Sequence, residues 1–193
     1  MKVMVLQGSP RRHGNTQQLT APVSEALRQG GAQVSERWFY DCQIHGCLGF
    51  KACQNRPDGF GCVQHDDMDA LFDEVLDADC ILLATPIYCW YCTAPMKAFL
   101  DRFIYASCKF YGRQKLPPLA AGKTCGLITT LGYPVEMAHL LSEGVERLCK
   151  HSKMVYGGAL VGRDMGKGGA FVTPELEQQA RAFAAQLLQG AAK

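Results

Sequence analysis

The chain has no excess of charge: 20 Lys and Arg against 18 Asp and Glu leave a formal net charge of +2 over 193 residues. That near balance excludes the concentrated basic face of a nucleic-acid binder and the polybasic surface that docks on membranes. No apolar run approaches the roughly 18 residues of a membrane-spanning helix. The first residues enter a β-like run directly, without a signal-peptide pattern, so the expected location is cytoplasmic. Both common nucleotide fingerprints are missing as well. Gly8 and Gly14 fit neither G-x-G-x-x-G nor G-x-x-x-x-G-K-[ST], and no lysine stands where the second motif needs one.

What is present is a soluble globular composition, 48% hydrophobic and 20% charged, in a length that suits one domain. Five apolar, β-rich runs recur at residues 2–7, 32–40, 80–85, 123–130 and 153–161. Helical patterns lie between them. Leu19, Val23, Ala26 and Leu27 share one face, although Pro22 predicts a kink or a late helix start there. Met68, Leu71, Phe72, Val75 and Leu76 form a second stripe behind Asp66 or Asp67 as N-cap, and Met96, Phe99, Leu100 and Phe103 a third behind Pro95. Met137, Leu140, Leu141, Val145 and Leu148 form the fourth. Thr173 caps the fifth, with Pro174 at its first position and Leu176, Ala180, Phe183 and Leu187 inward.

Strand–helix alternation with continuously apolar strands predicts an α/β fold: a three-layer, doubly wound, five-stranded parallel sheet in the flavodoxin-like order 2-1-3-4-5. In that order a ligand sits at the carboxyl ends of strands 1 and 3. Those ends are the loops at 8–16 and 85–95, the two segments richest in chemistry. The first loop, Gly8-Ser9-Pro10-Arg11-Arg12-His13-Gly14-Asn15-Thr16, gathers hydroxyls, an amide and cations at a helix start. Unpaired backbone N–H groups and the positive end of the helix dipole suit a phosphate there, and a monoester fits better than a pyrophosphate. An ordinary capped strand–helix loop is the plain alternative. The second loop, Thr85 to Pro95, offers backbone N–H groups and aromatic faces of the kind that hold a planar redox-active ring. A surface covered by a partner subunit would look similar.

These segments together resemble a known group. GSPRRHGNT, then TPIY…TAPMKAFLDRF, then the closing GKGG…TPELEQQARAFA are similar to the NAD(P)H-dependent FMN reductase and iron–sulfur flavoprotein branch of the flavodoxin-like superfamily. The resemblance implies FMN as cofactor and NAD(P)H as co-substrate. It places the phosphate on Ser9, Arg11, Gly14, Asn15 and Thr16, the ring against Pro86, Ile87, Tyr88, Cys89 and Trp90, and the turn Thr129, Thr130 to Gly132 on the other side. It also implies a homodimer or homotetramer with the flavin near the interface, serving a small-molecule electron acceptor: flavin, quinone or similar. No catalytic side chain is required, and Tyr88 and Tyr133 are the candidates to donate a hydrogen bond near the ring. A non-enzymatic electron carrier and a thiol-based redox sensor are the competing readings. The balanced charge argues against the carrier, which would need an acidic docking face.

The ten cysteines are read as mostly reduced, since a secreted disulfide scaffold would be shorter and poorer in core patterns. Cys80 and Cys125 lie in strand-like runs and read as core. Cys89-Trp90-Tyr91-Cys92 departs from the resemblance, which has small or polar residues after the tyrosine, and its C-x-x-C could be a redox pair. Cys47, Cys53 and Cys62, followed by Val63-Gln64-His65-Asp66-Asp67-Met68, match the iron–sulfur pattern except that Phe50 replaces its middle cysteine. Only Cys42 could complete four thiolates. Zinc on Cys47, Cys53, Cys62 and His65 follows no familiar spacing. Metal-free thiols are the preferred expectation.

Overall fold

The computed structural model of the protein describes residues 1–166, 168 and 170–190; Lys167 and Gly169 of the glycine-rich GKGG segment lie outside the described residues. Five strands, β1 (Lys2–Gln7), β2 (Gln33–Trp38), β3 (Cys80–Pro86), β4 (Thr124–Leu131) and β5 (Val155–Arg163), form one parallel sheet in the order β2-β1-β3-β4-β5. Five helices connect and cover them: α1 (Asn15–Gln29), α2 (Met68–Asp77), α3 (Ala94–Ser107), α4 (His139–Ser152) and α5 (Pro174–Gly190).

The two central strands explain the order. Every residue of β3 and β4 is buried, whereas β2 and β5 alternate with exposed positions, as edge strands must. Alternation then sorts side chains to opposite faces of the sheet. Val3, Val5 and Leu82 pack with Leu19, Val23 and Leu27 of α1 and Phe183 and Leu187 of α5. Met4, Leu6, Leu83 and Leu127 point the other way, into Phe72 of α2, Phe99 and Phe103 of α3 and Val145 of α4. Phe39, in a 3₁₀ turn after β2, joins that second core with its ring centroid 5.0 Å from Phe99.

One helix narrows the expectation and another departs from it. α1 is continuous through Pro22 and starts at Asn15, not late. Proline inside a helix costs about 3 kcal/mol, and burying Leu19, Val23 and Leu27 offsets it at roughly 1.5–3 kcal/mol each. The fourth helix begins later than the apolar stripe suggests. Val135–Ala138 is a 3₁₀ turn, Met137 and Leu140 stay exposed, and only Leu141 and Val145 of that stripe are fully buried. α5 starts as expected, with Thr173 Oγ1 accepting the Leu176 N–H at 3.2 Å.

The connection from β2 to α2 carries four cysteines and little regular structure, so side chains must hold it. Arg102, on α3 and 2% exposed, reaches into it. Its guanidinium pairs with the buried Asp66 carboxylate and donates to the His45 carbonyl at 3.2 Å, the Gln64 carbonyl at 3.4 Å and Cys62 Sγ at 3.5 Å. Asp66 also accepts the backbone N–H groups of His45 and Met68, at 2.9 and 3.1 Å, and so caps α2 although Asp67 is its N-cap residue. Lys109, buried beneath the same loop, donates to the carbonyls of Cys53 (2.8 Å) and Gly59 (3.1 Å). Burial pushes the Asp66 carboxyl up, but the hydrogen bonds from Arg102, His45 and Met68 outweigh it and hold the group below the usual carboxylate range.

Removing one partner of such a pair strands a buried charge, so Asp66→Asn should destabilise the fold by about 3–5 kcal/mol in urea unfolding at pH 7. Because the folded carboxyl is depressed, its contribution is complete above the unfolded value of roughly 4 and is lost as pH falls through the lower folded value. The stability gap between wild type and variant should therefore shrink below about pH 4.

Candidate functional site

The carboxyl ends of β1, β3 and β4 meet in one crevice, as the strand order requires. Backbone and hydroxyl bonds lock its walls together. Gly8 donates its N–H to the Ala84 carbonyl at 2.7 Å, and its own carbonyl accepts Thr93 Oγ1 at 2.7 Å. A Cβ at Gly8 would lie 3.0 Å from Met96 Cε and 3.1 Å from Thr93 Oγ1, so the loop lies tight against α3. Thr16 Oγ1 and Thr130 Oγ1 stand 2.8 Å apart, both buried, and the Thr130 carbonyl accepts the Ile87 N–H at 2.8 Å. The Thr129 hydroxyl is turned inward and donates to the Thr85 carbonyl at 2.8 Å.

The first loop ends in an open helix start. Gly14 is the N-cap of α1, no side chain caps it, and the first turn has no acidic residue. The first intrahelical bond is Gln18 N–H to Gly14 O, so the N–H groups of Asn15, Thr16 and Gln17 have no intrahelical partner. The plain alternative of an Asn or Thr cap is thus not realised. Ser9 is buried and its Oγ accepts the Arg11 N–H at 3.2 Å. Of the two arginines, Arg12 is engaged: it pairs with Asp41 and lies over the Trp38 ring at 4.5 Å. Arg11 is exposed and has no carboxylate partner among the described residues. Gly14 sits so close to Arg11 that a Cβ there would be 2.9 Å from Arg11 Cβ.

Asp164, just after β5, was not singled out from sequence. Its Oδ2 accepts Asn15 Nδ2 at 2.7 Å and its Oδ1 accepts the Gly166 N–H at 2.9 Å; these bonds, Gly166 first, hold its carboxyl below the usual range. Thr93 was also missed. Position could have flagged both, since each follows a strand's carboxyl end.

The second loop supplies aromatic surface. Tyr88 and Tyr91 exchange backbone bonds of 2.9 and 3.0 Å across a two-residue turn, with Cys89 at φ +50° and Trp90 at φ +68°. Two successive positive φ values define the tight hairpin turn that normally takes Asn-Gly, and here two bulky residues occupy it. Trp90 lies parallel to Tyr133, from the turn after β4, with centroids 6.1 Å apart and planes 14° apart. Tyr88, Trp90, Tyr91 and Tyr133 are all exposed. Bonds from Thr16 to Thr130, Ile87 to Thr130 and Thr93 to Gly8 thus bring the loops after β1, β3 and β4 to the same edge of the sheet.

Against this geometry the comparisons are decisive. The model of the NADPH-dependent FMN reductase family matches residues 1–163. The chain belongs to that family. An iron–sulfur flavoprotein of Archaeoglobus fulgidus is 33% identical over 141 residues, covering 72% of this chain and 59% of that protein. An FMN-dependent NADH:quinone oxidoreductase of Azospirillum brasilense is 30% identical over 142 residues, 68% of each. The chain spans about half to three-fifths of the length of the iron–sulfur flavoproteins it matches. Among solved structures, an NAD(P)H:quinone oxidoreductase from Methanothermobacter marburgensis superposes with a TM-score of 0.73 at 16% identity, over 97% of this chain and 96% of that one. That likeness, with the strand order, makes the fold flavodoxin-like.

The four cysteines of the β2–α2 connection stay apart from one another. Among the described residues no group of three or more His, Cys, Asp or Glu side chains is arranged to hold a metal ion. Cys42, the only candidate for a fourth thiolate, donates to the Trp38 carbonyl at 3.3 Å, and burial, with Asp67 and Asp41 nearby, pushes its thiol up. Cys53 is raised by burial too, and Cys62 faces Arg102. This donor set does not fit a four-iron cluster. Burial pushes the Cys92 thiol up to about 11, while Cys89 of the same C-x-x-C is exposed. Cys80 and Cys125 are core residues, as expected, and Cys125 meets Cys149 of α4 inside it.

Replacing Cys89-Trp90 by Asn-Gly should relieve the left-handed strain and stabilise the fold by about 1 kcal/mol, read from the denaturant midpoint.

Proposed function

We propose that the chain binds FMN in this crevice and works as an NAD(P)H-dependent oxidoreductase on a small-molecule acceptor. The observation that carries this reading is the uncapped start of α1, with Arg11 beside it free of a carboxylate partner among the described residues and exposed aromatic rings on the neighbouring loops. The donors suit a phosphate monoester: the orphan N–H groups at 15–17, Ser9 Oγ, the Arg11 guanidinium and the Asn15 amide. The space that a Cβ on Gly8 or Gly14 would crowd lets that loop close tightly. Family membership, and the FMN named for the relative from Azospirillum brasilense, support the same ligand.

When bound, FMN supplies the two-electron exchange between nicotinamide and acceptor. The chain's own residues position and shelter. Backbone from Pro86 to Cys89 and at Gly132 would line the ring's edge, and Tyr88 and Tyr133 would be placed to donate hydrogen bonds beside it. Thr16, Thr85, Thr93, Thr129 and Thr130 spend their hydroxyls on joining the walls, so the crevice keeps its shape with or without ligand. Asp164 holds Asn15 in place, and a phosphate would share that amide. The competing reading, a protein-to-protein electron carrier, is disfavoured by a net charge of +2, which leaves no overall acidic excess to steer docking.

Three further elements belong to this proposal. The thiols of Cys42, Cys47, Cys53 and Cys62 are metal-free. Ten cysteines without a disulfide suit a reducing compartment, the cytoplasm, and no helix among the described residues is long and apolar enough to cross a membrane. The apolar groove between α3 and α4, about 230 Å³ and lined by Leu100, Ile104, Leu140 and Leu148, supports association into a dimer or tetramer.

Arg11→Ala and Asn15→Ala should each raise the Kd for FMN roughly tenfold or more, the loss of one charge-assisted hydrogen bond, with an unchanged unfolding midpoint. A protein that purifies colourless and takes up no added FMN would overturn the reading. Elemental analysis of anaerobically purified protein should find iron and zinc well below one per chain; stoichiometric iron with broad absorbance near 400 nm would overturn the metal-free assignment.

A further inference from the structure

We propose that Cys62 is a modification site, oxidised by peroxide to a sulfenic acid whose oxygen is received by the buried Arg102 guanidinium. The inference concerns the connection between β2 and α2 and does not depend on the FMN reading. Cys62 is partly exposed, so a small oxidant can reach it, while Arg102 behind it is buried. Arg102 Nη2 donates to Cys62 Sγ at 3.5 Å. Cys47 and Cys89 are more exposed, but no cation donates to either sulfur among the described residues.

A donor left idle on Arg102 is the second observation. Its Nη1 serves Asp66 and the His45 carbonyl, and its Nη2 serves Cys62 and the Gln64 carbonyl. Nε alone has no partner, although the side chain is buried. A guanidinium carries Nε–H and an Nη2–H side by side on one edge, a fork that matches two acceptor atoms. Arg37 fills that edge with the Glu74 carboxylate, at 2.7 Å from Nε and 2.8 Å from Nη2. In Arg102 the same edge has sulfur within reach of Nη2 and nothing on Nε. An unfilled buried donor costs about 1–3 kcal/mol. An oxygen bonded to Cys62 Sγ gives this edge its second acceptor.

Charge points the same way. Arg102 and Lys109 are both buried beneath this connection, and Asp66 is the one buried carboxylate there among the described residues. One positive charge is left without a buried counter-ion. Asp58, which also faces Lys109, is exposed to solvent. A partly exposed thiol in electropositive surroundings is the kind that peroxide oxidises. In the step, Cys62 Sγ attacks one peroxide oxygen, and an S–O bond forms as the O–O bond breaks. Sulfur is oxidised by two electrons and the peroxide reduced. The departing oxygen takes the thiol proton and leaves as water. Added thiol removes the bound oxygen as a second water, through a mixed disulfide.

The test treats the purified protein, without nicotinamide, with hydrogen peroxide and dimedone, which caps sulfenic acids. Peptide mass spectrometry then locates the adducts. Cys62 should carry at least about ten times the adduct of Cys47 or Cys89, and dithiothreitol given before dimedone should abolish it. A ranking that follows exposure, or no adduct at Cys62, would overturn the proposal. A second measurement compares anionic iodoacetate with neutral iodoacetamide on the same protein. The ratio of their rates should be about threefold or more higher at Cys62 than at Cys89, and equal ratios would defeat the electropositive setting. Arg102→Lys keeps the charge but lacks the two-donor edge. Its Cys62 adduct should fall roughly fivefold with the Cys89 adduct unchanged, and an undiminished Cys62 adduct would remove Arg102 from the site. Should that variant not fold, the two wild-type measurements decide.

Discussion

A bond between two threonine hydroxyls, Thr16 Oγ1 and Thr130 Oγ1 at 2.8 Å, joins the start of α1 to the end of β4. Both side chains are buried, so neither has water as an alternative partner, and losing the bond would leave two unsatisfied groups in the interior. The Thr130 carbonyl then takes the Ile87 N–H, and Thr93 ties α3 to Gly8. Three loops that are remote in sequence become one rigid rim. The open N-terminus of α1 can stay uncapped because tertiary bonds, and not a capping side chain, hold it in place.

The loop carrying Cys42 to Cys62 shows a different solution to the same problem of ordering irregular chain. Its cohesion comes from protein donors: Arg102 serves Asp66, two carbonyls and a thiol, and Lys109 serves two more carbonyls. Buried cations are costly to desolvate and are retained only where their hydrogen bonds are nearly filled. Arg102 falls short by one, since its Nε has no partner.

Stability and presentation pull apart at the Cys89-Trp90 turn. The remainder of the rim follows ordinary preferences, with threonines at strand ends and glycine at the helix start. The turn alone puts two side chains where backbone sterics disfavour them. Such a conflict between local preference and global structure is expected where a surface has a task beyond folding.

The sheet was legible in the residues themselves. Continuous apolar runs such as Cys80 to Ala84 can be satisfied only by burial on both faces, and right-handed crossovers then leave few topologies. The same topology brings the loops at 8–16 and 85–95 to one crevice, so most of the candidate site could be read before any coordinates. Pairwise contacts between distant segments could not. Pro22 suggested a kink or a late helix start, and only the packing of Leu19, Val23 and Leu27 shows why the helix begins at Asn15. Arg102 and Lys109 look like surface residues in sequence, and only packing shows them buried. The partnership of Asn15 with Asp164, the choice of Arg11 over Arg12 as the unpaired cation, and the parallel rings of Trp90 and Tyr133 all depend on groups at least 29 positions apart meeting in space. Periodicity is a local property and marks each strand and helix, whereas hydrogen-bond partners and stacking are set by where the completed sheet carries its loops.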